Sequence, residues 1–286
     1  MEKPIYIHKE PELASTLSST RVWQVLNLVG FVLMVVVNYL ANAVPINGQT
    51  TGAISDKYPN LFVPAGVTFS IWGVIYLALG AYTVYQALPL IGKRKDDANL
   101  ITNSTSGWYF YTTLLNASWI LAWHYELFPV SLAIMLMLLV SLLRINFGLY
   151  NIQPYLTKTG SFLTKASFGL YLGWICIATI ANMTAWLVAI NWEGSGLAPE
   201  TWAFIMILIG MLIGWYTSGA LSNGYIALAV AWALTGIYLK RSEAPDDHTS
   251  LLYLSSIGAV LLALYAMYSL FFSHQNRKRL SHSTGE

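Results

Sequence analysis

Of the 286 residues, 56% are hydrophobic and only 10% are charged, against about 25% charged in an average soluble domain. Nothing in such a chain would cover the surface of a soluble fold, so soluble enzymes and soluble binding modules are excluded. The net charge of +2 comes without a basic stripe, which leaves nucleic-acid binding without electrostatic support. The single cysteine, Cys176, allows no disulfide within the chain, and the five scattered histidines lack metal-ligand spacing.

Residues 1–21 are polar and read as an N-terminal tail. An apolar run from Val22 to Val44 follows. It is too long for the h-region of a signal peptide and reads as the first membrane-spanning helix. Asn38 within it needs a partner, so it is expected to face other helices. Residues 45–63 form a loop punctuated by Asn-Gly, Thr-Gly and Tyr-Pro, long enough to serve as a lid. The second span, Pro64 to Gln86, carries no charge; its 23 residues would cover roughly 34 Å, against roughly 30 Å of hydrocarbon. The basic loop Lys93-Arg94-Lys95 follows.

A third span is expected from Trp108 to Leu127, and a fourth from Pro129 to about Tyr150, with Arg144 near its far end snorkelling to the interface. Residues 151–165 are a polar loop, and the fifth span runs from Ser167 to Ile190. Gly169 and Gly173 there, and Gly210 and Gly214 later, permit close helix approach. Three further runs, Trp202–Gly219, Gly224–Leu239 and Leu251–Phe272, bring the expected total to about eight transmembrane helices in an all-α bundle. The basic run Arg277-Lys278-Arg279 anchors a tail at 274–286. With both termini in the cytoplasm, only Lys57, Lys240 and Arg241 of the fifteen basic residues fall outside, which satisfies the positive-inside rule.

Three spans carry aromatic stripes at helical spacing. Phe69, Trp72 and Tyr76 mark the second, Asn116, Trp119 and Trp123 the third, and Tyr171, Trp174, Ala178 and Asn182 the fifth. Such stripes serve equally to fill a bundle core or to build a slot for a planar ligand, with Asn116 and Asn182 orienting its polar edges.

These residues carry a resemblance. Trp72, Tyr76 and Gly80 have a Trp-xxx-Tyr-xxx-Gly spacing after a Pro-containing lead-in; Leu115, Asn116 and Trp119 form Leu-Asn-xx-Trp; Tyr171, Leu172, Trp174, Ala178 and Asn182 form Tyr-Leu-x-Trp-xxx-Ala-xxx-Asn. In this order, residues 22–192 resemble the TspO/MBR family, the translocator-protein or tryptophan-rich sensory protein group. The resemblance implies a five-helix core at 22–192 that binds a tetrapyrrole or another flat apolar molecule such as a sterol. Phe69, Trp72, Tyr76, Asn116, Trp119, Tyr171, Trp174, Ala178 and Asn182 are the expected ligand-binding residues. It also implies porphyrin or haem as ligand rather than resident cofactor, and a homodimer in the bilayer. The remaining helices, 193–273, read as an extension of a longer variant. The sequence departs from the family pattern by lacking Pro before Tyr171 and the Pro-rich segment after Trp119.

A sensor or carrier is the function so implied. Light-dependent degradation of porphyrin, for which Trp72 and Trp174 would supply the oriented indoles, is an alternative. A secondary transporter is another, although no internal repeat is visible and Arg144 is the single charge within a span.

Overall fold

The structure is a computed structural model that describes residues 10–93, 97–243 and 248–283. His8, the first nine residues of the expected N-terminal tail, and Arg94 and Lys95 of the basic loop lie outside the described residues, as do the side chains of Arg277, Lys278 and Arg279. Among the described residues there are nine α-helices and no strand. They are α1 (Glu10–Ala43), α2 (Thr51–Lys57), α3 (Ile71–Ala87), α4 (Ala98–His124), α5 (Phe128–Ile152), α6 (Lys158–Ala189), α7 (Pro199–Ala220), α8 (Gly224–Ser242) and α9 (Thr249–Ser283). The first and last long helices reach further outward than the apolar runs alone indicate.

Among the described residues, six segments are long and apolar enough to cross a bilayer: Ser19–Ala43, Gly66–Ile91, Phe128–Tyr155, Lys158–Ala189, Pro199–Ala220 and Thr249–Phe271. The chain is therefore a multi-pass membrane protein. α4 and α8 are not among the six, and each has a physical reason. α4 carries Thr102, Thr105, Thr112, Thr113 and Asn116, all fully buried, so its polar side chains face protein rather than lipid. α8 is short and ends in Lys240 and Arg241.

The long helices form two groups. α1, α4, α5, α6 and α3 close a five-membered ring in which each packs against the next and α3 returns to α1. Its interior is partly polar and cross-linked. Gln24 Nε2 donates to Asn99 Oδ1 at 3.0 Å, Thr102 Oγ1 to Gln86 Oε1 at 3.2 Å, and the hydroxyls of Thr83 and Tyr109 share a bond of 2.6 Å. A buried polar group without a partner is costly in hydrocarbon, so these bonds define which faces turn inward. At the end opposite the α4–α5 turn, buried Asp97 accepts from Tyr85 Oη at 2.6 Å and from the Thr157 N–H and hydroxyl at 2.8 and 2.9 Å, tying α3 and α4 to the start of α6. Arg144 lies on the exposed face of α5, as snorkelling requires.

α7, α8 and α9 form the second group, with α8 seated directly on α6. Gly173 makes that seat. A Cβ there would lie 2.3 Å from the Ile226 carbonyl oxygen, so only glycine lets the two backbones approach this closely. Gly210 and Gly214 act similarly for α7, against Ile177 and Val230.

Candidate functional site

The site begins where the chain enters α3. Pro64 stops any earlier helix, and a single 3₁₀ turn, Gly66–Ser70, runs into α3. That turn is held from outside the ring: the Ala65 N–H donates to the Gly236 carbonyl and Trp232 Nε1 donates to the Thr68 carbonyl, both at 2.9 Å. α8 thereby positions Phe69 and, one turn on, Trp72.

Trp72 is the hub of an aromatic cluster. Its ring centroid lies 6.1 Å from those of Trp119 and Trp174, 5.9 Å from Tyr171, and 5.5 Å from Tyr76, against which it stacks. Phe69 meets Trp174 edge-on at 5.9 Å, and Trp123 stacks on Trp119 at 5.8 Å. The three stripes thus converge inside the ring. Trp72, Trp119 and Trp174 are 8%, 4% and 3% exposed, so none faces lipid.

Between these rings lies a cavity of about 30 Å³ bounded by Phe69, Trp72, Trp119, Trp123, Trp174, Ala178 and Asn182, with Ser55 and Pro64 above. That is room for about one or two waters, far below the roughly 300–1,000 Å³ of a small-molecule site. The rings fill most of the slot themselves. The walls are nonetheless unusual in their polar atoms. The indole N–H groups of Trp72, Trp119 and Trp174 and the amide nitrogen of Asn182 are buried and make no hydrogen bond. An indole N–H can only donate. Four unpaired donors around one cavity is a clear departure from the usual satisfaction of buried polar groups.

Asn116, Tyr171 and Tyr76 behave differently. Asn116 Oδ1 accepts from Asn38 Nδ2 at 2.7 Å and from Tyr76 Oη at 3.4 Å, while its Nδ2 donates to Tyr171 Oη at 2.9 Å. This node links α1, α3, α4 and α6 next to the cavity, and Asn38 faces other helices as expected. Neither Asn116 nor Tyr171 borders the cavity. Tyr76 faces a separate groove of about 420 Å³ beside α1, shared with Asn38 and Asn42.

The segment between α1 and α3 covers the open end of the ring. Asn47 Nδ2 donates to the His124 carbonyl at 2.9 Å, and Trp123 Nε1 to the Thr51 carbonyl at 3.2 Å. Lys57 pairs with Glu126, which also accepts from the Tyr58 hydroxyl, and Lys240 pairs with Asp56 at 3.0 Å. The hydrogen bonds from Lys57 and Tyr58 hold the Glu126 carboxyl below its ordinary range. The Glu126 hydrogen bond in turn pushes the Tyr58 phenol up to about 12. Short α2 is pinned over the aromatic cluster by these contacts.

The profile of a family described as TSPO-like protein matches residues 24–268. The chain belongs to the TSPO-like family. No curated protein and no solved structure matches it. The TSPO-like match continues beyond α6 through α7 and α8 into α9, which agrees with the tight seat of α8 on α6 and on the lead-in to α3. Of the expected site residues, Phe69, Trp72, Trp119, Trp174, Ala178 and Asn182 surround the cavity in this TSPO-like protein. The expected ligand-binding set omitted Ser55 and also Trp123, although Trp123 stands on the third aromatic stripe. Trp123 follows Trp119 by four residues, and that spacing was the available signal. Ser55 comes from α2, a short helix within a segment read as loop, and carried none.

Proposed function

We propose that this TSPO-like protein binds a flat, largely apolar molecule with hydrogen-bond acceptors on its edge, a tetrapyrrole or sterol-like ligand, and acts as its sensor or carrier. The observation that carries this reading is the set of unpaired donors on Trp72, Trp119, Trp174 and Asn182 around one apolar cavity. A ligand presenting carbonyl, carboxylate or pyrrole-nitrogen acceptors would satisfy them. Its plane would exchange ring–ring contacts of about 0.5–1.5 kcal/mol each for ring–ligand contacts of the same kind. Admission requires the indoles to swing apart and α2 to lift, so the closed cavity is the unliganded end of a two-state equilibrium.

The same reading places α4 and α8 across the bilayer with the other six helices, both termini on the cytoplasmic side. Their lower hydropathy is compatible with this, because α4 turns its threonines inward and the inner face of α8 is covered by α6, α7 and α9.

The experiment is a titration of the detergent-solubilised chain with protoporphyrin IX, followed by tryptophan fluorescence. Saturable quenching is expected in the wild type, and its loss in a Trp72→Phe/Trp174→Phe double variant that keeps its helical circular dichroism. Equal affinity in the two proteins would remove the cavity from the proposal.

A further inference from the structure

A cavity far larger than the aromatic one lies outside the aromatic cluster. α6 and α7 touch where a Cβ on Gly210 would come within 2.8 Å of Ile177. From there they part toward the end of the bundle that carries Trp192 and Pro199. The gap is a groove of about 890 Å³, a size typical of a small-molecule site. Leu132 and Leu136 of α5, Ile180 and Leu187 of α6, and Met206 of α7 are among its walls, and Phe62 of the lid segment lies at its floor.

The Thr179 and Thr184 hydroxyls, the Asn60 amide and the Trp202 indole on these walls are already committed. Thr179 and Thr184 hydroxyls donate to the carbonyls of Ile175 and Ile180 at 2.7 and 2.8 Å. The Asn60 amide donates to the Tyr58 carbonyl and accepts from the Phe62 N–H, both at 3.0 Å, and Trp202 Nε1 donates to the Gly194 carbonyl at 2.6 Å. The groove therefore offers hydrocarbon along its length. Charge enters only at one end, where Arg241 and Glu193 both line it. Beside Glu193, the rings of Trp192 and Trp202 meet at 5.1 Å and 60°, forming an aromatic corner. That end lies with the α4–α5 turn and the Lys57–Glu126 and Lys240–Asp56 ion pairs, where a tryptophan belt and solvated charges mark a membrane surface.

We propose that this groove binds one zwitterionic phospholipid of the surrounding bilayer. An acyl chain lies between α6 and α7, the phosphate meets Arg241, and the ammonium sits between Glu193 and the Trp192–Trp202 corner. The guanidinium has five N–H donors in a fork that matches a phosphate, so it can serve a headgroup alongside its contacts within the protein. An indole face next to a carboxylate is the arrangement that attracts an alkylammonium. The pairing of opposite charges at one end of a hydrocarbon groove selects against an anionic lipid, which Glu193 repels, and against a headless diacylglycerol, which brings neither a phosphate to Arg241 nor an ammonium to Glu193.

The test is native mass spectrometry of the full chain, released from micelles holding equal amounts of phosphatidylethanolamine, phosphatidylglycerol and diacylglycerol with identical acyl chains. The expected spectrum shows a single phosphatidylethanolamine adduct favoured over each competitor by about ten-fold, the factor of one charge-assisted contact. Met183 lines the groove and is 41% exposed, so Met183→Trp fills it without entering the packed core and should abolish the adduct. Arg241→Gln should reduce the preference over diacylglycerol to below about two-fold. Equal adducts for the three lipids, an adduct that survives Met183→Trp, or a dimer of the chain in place of any lipid would overturn the proposal. The midpoint of the protoporphyrin titration should be unchanged in Met183→Trp, although the added indole alters the amplitude, so this site and the aromatic cavity fail or stand separately.

Discussion

Asn116 and Asn182 look alike in sequence, one on each of two aromatic stripes, yet their geometry assigns them opposite roles. Asn116→Ala removes an acceptor used at 2.7 and 3.4 Å and a donor used at 2.9 Å. Interhelical side-chain bonds in membranes are worth about 0.6 kcal/mol on average and about 1.7 at most. Two good bonds and one long one give about 1–2 kcal/mol, and the cavity left by the truncated amide adds about 1 kcal/mol. The expected destabilisation is therefore about 2–3 kcal/mol. Asn182 is held by one bond, from the Ser131 hydroxyl at 3.1 Å, and its amide nitrogen is unpaired. Asn182→Ala should cost about 1 kcal/mol or less, because deleting an unsatisfied donor offsets part of the loss. Unfolding in mixed detergent–dodecyl sulfate micelles, followed by far-ultraviolet circular dichroism, measures both. Protoporphyrin affinity should then move the other way: within about two-fold of wild type for Asn116→Ala, and weaker by about five-fold for Asn182→Ala. A larger stability loss at Asn182, or lost binding in a stable Asn116→Ala protein, would refute the reasoning.

The other predictions concern the seams and the lid. Gly173→Val drives a side chain into the α8 backbone, 2.3 Å from the Ile226 carbonyl at its first carbon, and should lower stability by about 3 kcal/mol or more in the same micelle titration. Gly236→Ala puts a methyl 2.0 Å from the Thr68 hydroxyl. It should shift the turn that carries Phe69, so that protoporphyrin quenching weakens although α8 itself remains helical. Asp97→Ala leaves the Tyr85 hydroxyl and both Thr157 donors without their shared acceptor; about 2–4 kcal/mol should be lost in the micelle titration, more than for Asn116→Ala. The Glu126 carboxyl is held below its ordinary 4.5 in the folded protein. Its pairing with Lys57 and Tyr58 therefore contributes stability above about pH 4.5 and loses it as pH falls through the lowered folded value. The gap in thermal midpoint between wild type and Glu126→Gln should be present at pH 7 and shrink progressively once the pH falls below about 4.5; a gap that stays constant through the acid range would remove the Glu126 anchor.

Much of this arrangement was legible from side-chain spacing. Trp72, Trp119 and Trp174 sit at helical intervals with small or amide residues on the same face, and a bundle can bring such faces together only inward. The first ten residues of α4 were not legible. Ala98 to Gly107 is polar enough to read as loop, and it becomes helical because its threonines and amides find partners on α1 and α3 that no local pattern encodes. α2 was hidden for a related reason: seven residues are too few to show a period, and its place is set by long-range contacts with Trp123, Glu126 and Lys240. The division of labour between Asn116 and Asn182 was illegible too, because it depends on which partners lie across the ring. The small size of the cavity is a packing outcome of the same kind.

The bonds from Ala65 to Gly236 and from Trp232 to Thr68 have an architectural consequence. The doorpost of the aromatic chamber is bolted to a helix that arrives well over a hundred residues later in the chain. Trimming the protein back to its five-membered ring would strip away that bracket, bare the glycine seam of α6 to lipid, and leave Phe69 without a fixed bearing. The trailing helices are thus a splint for the chamber, and any signal that tilts them against the membrane plane would be felt at Trp72.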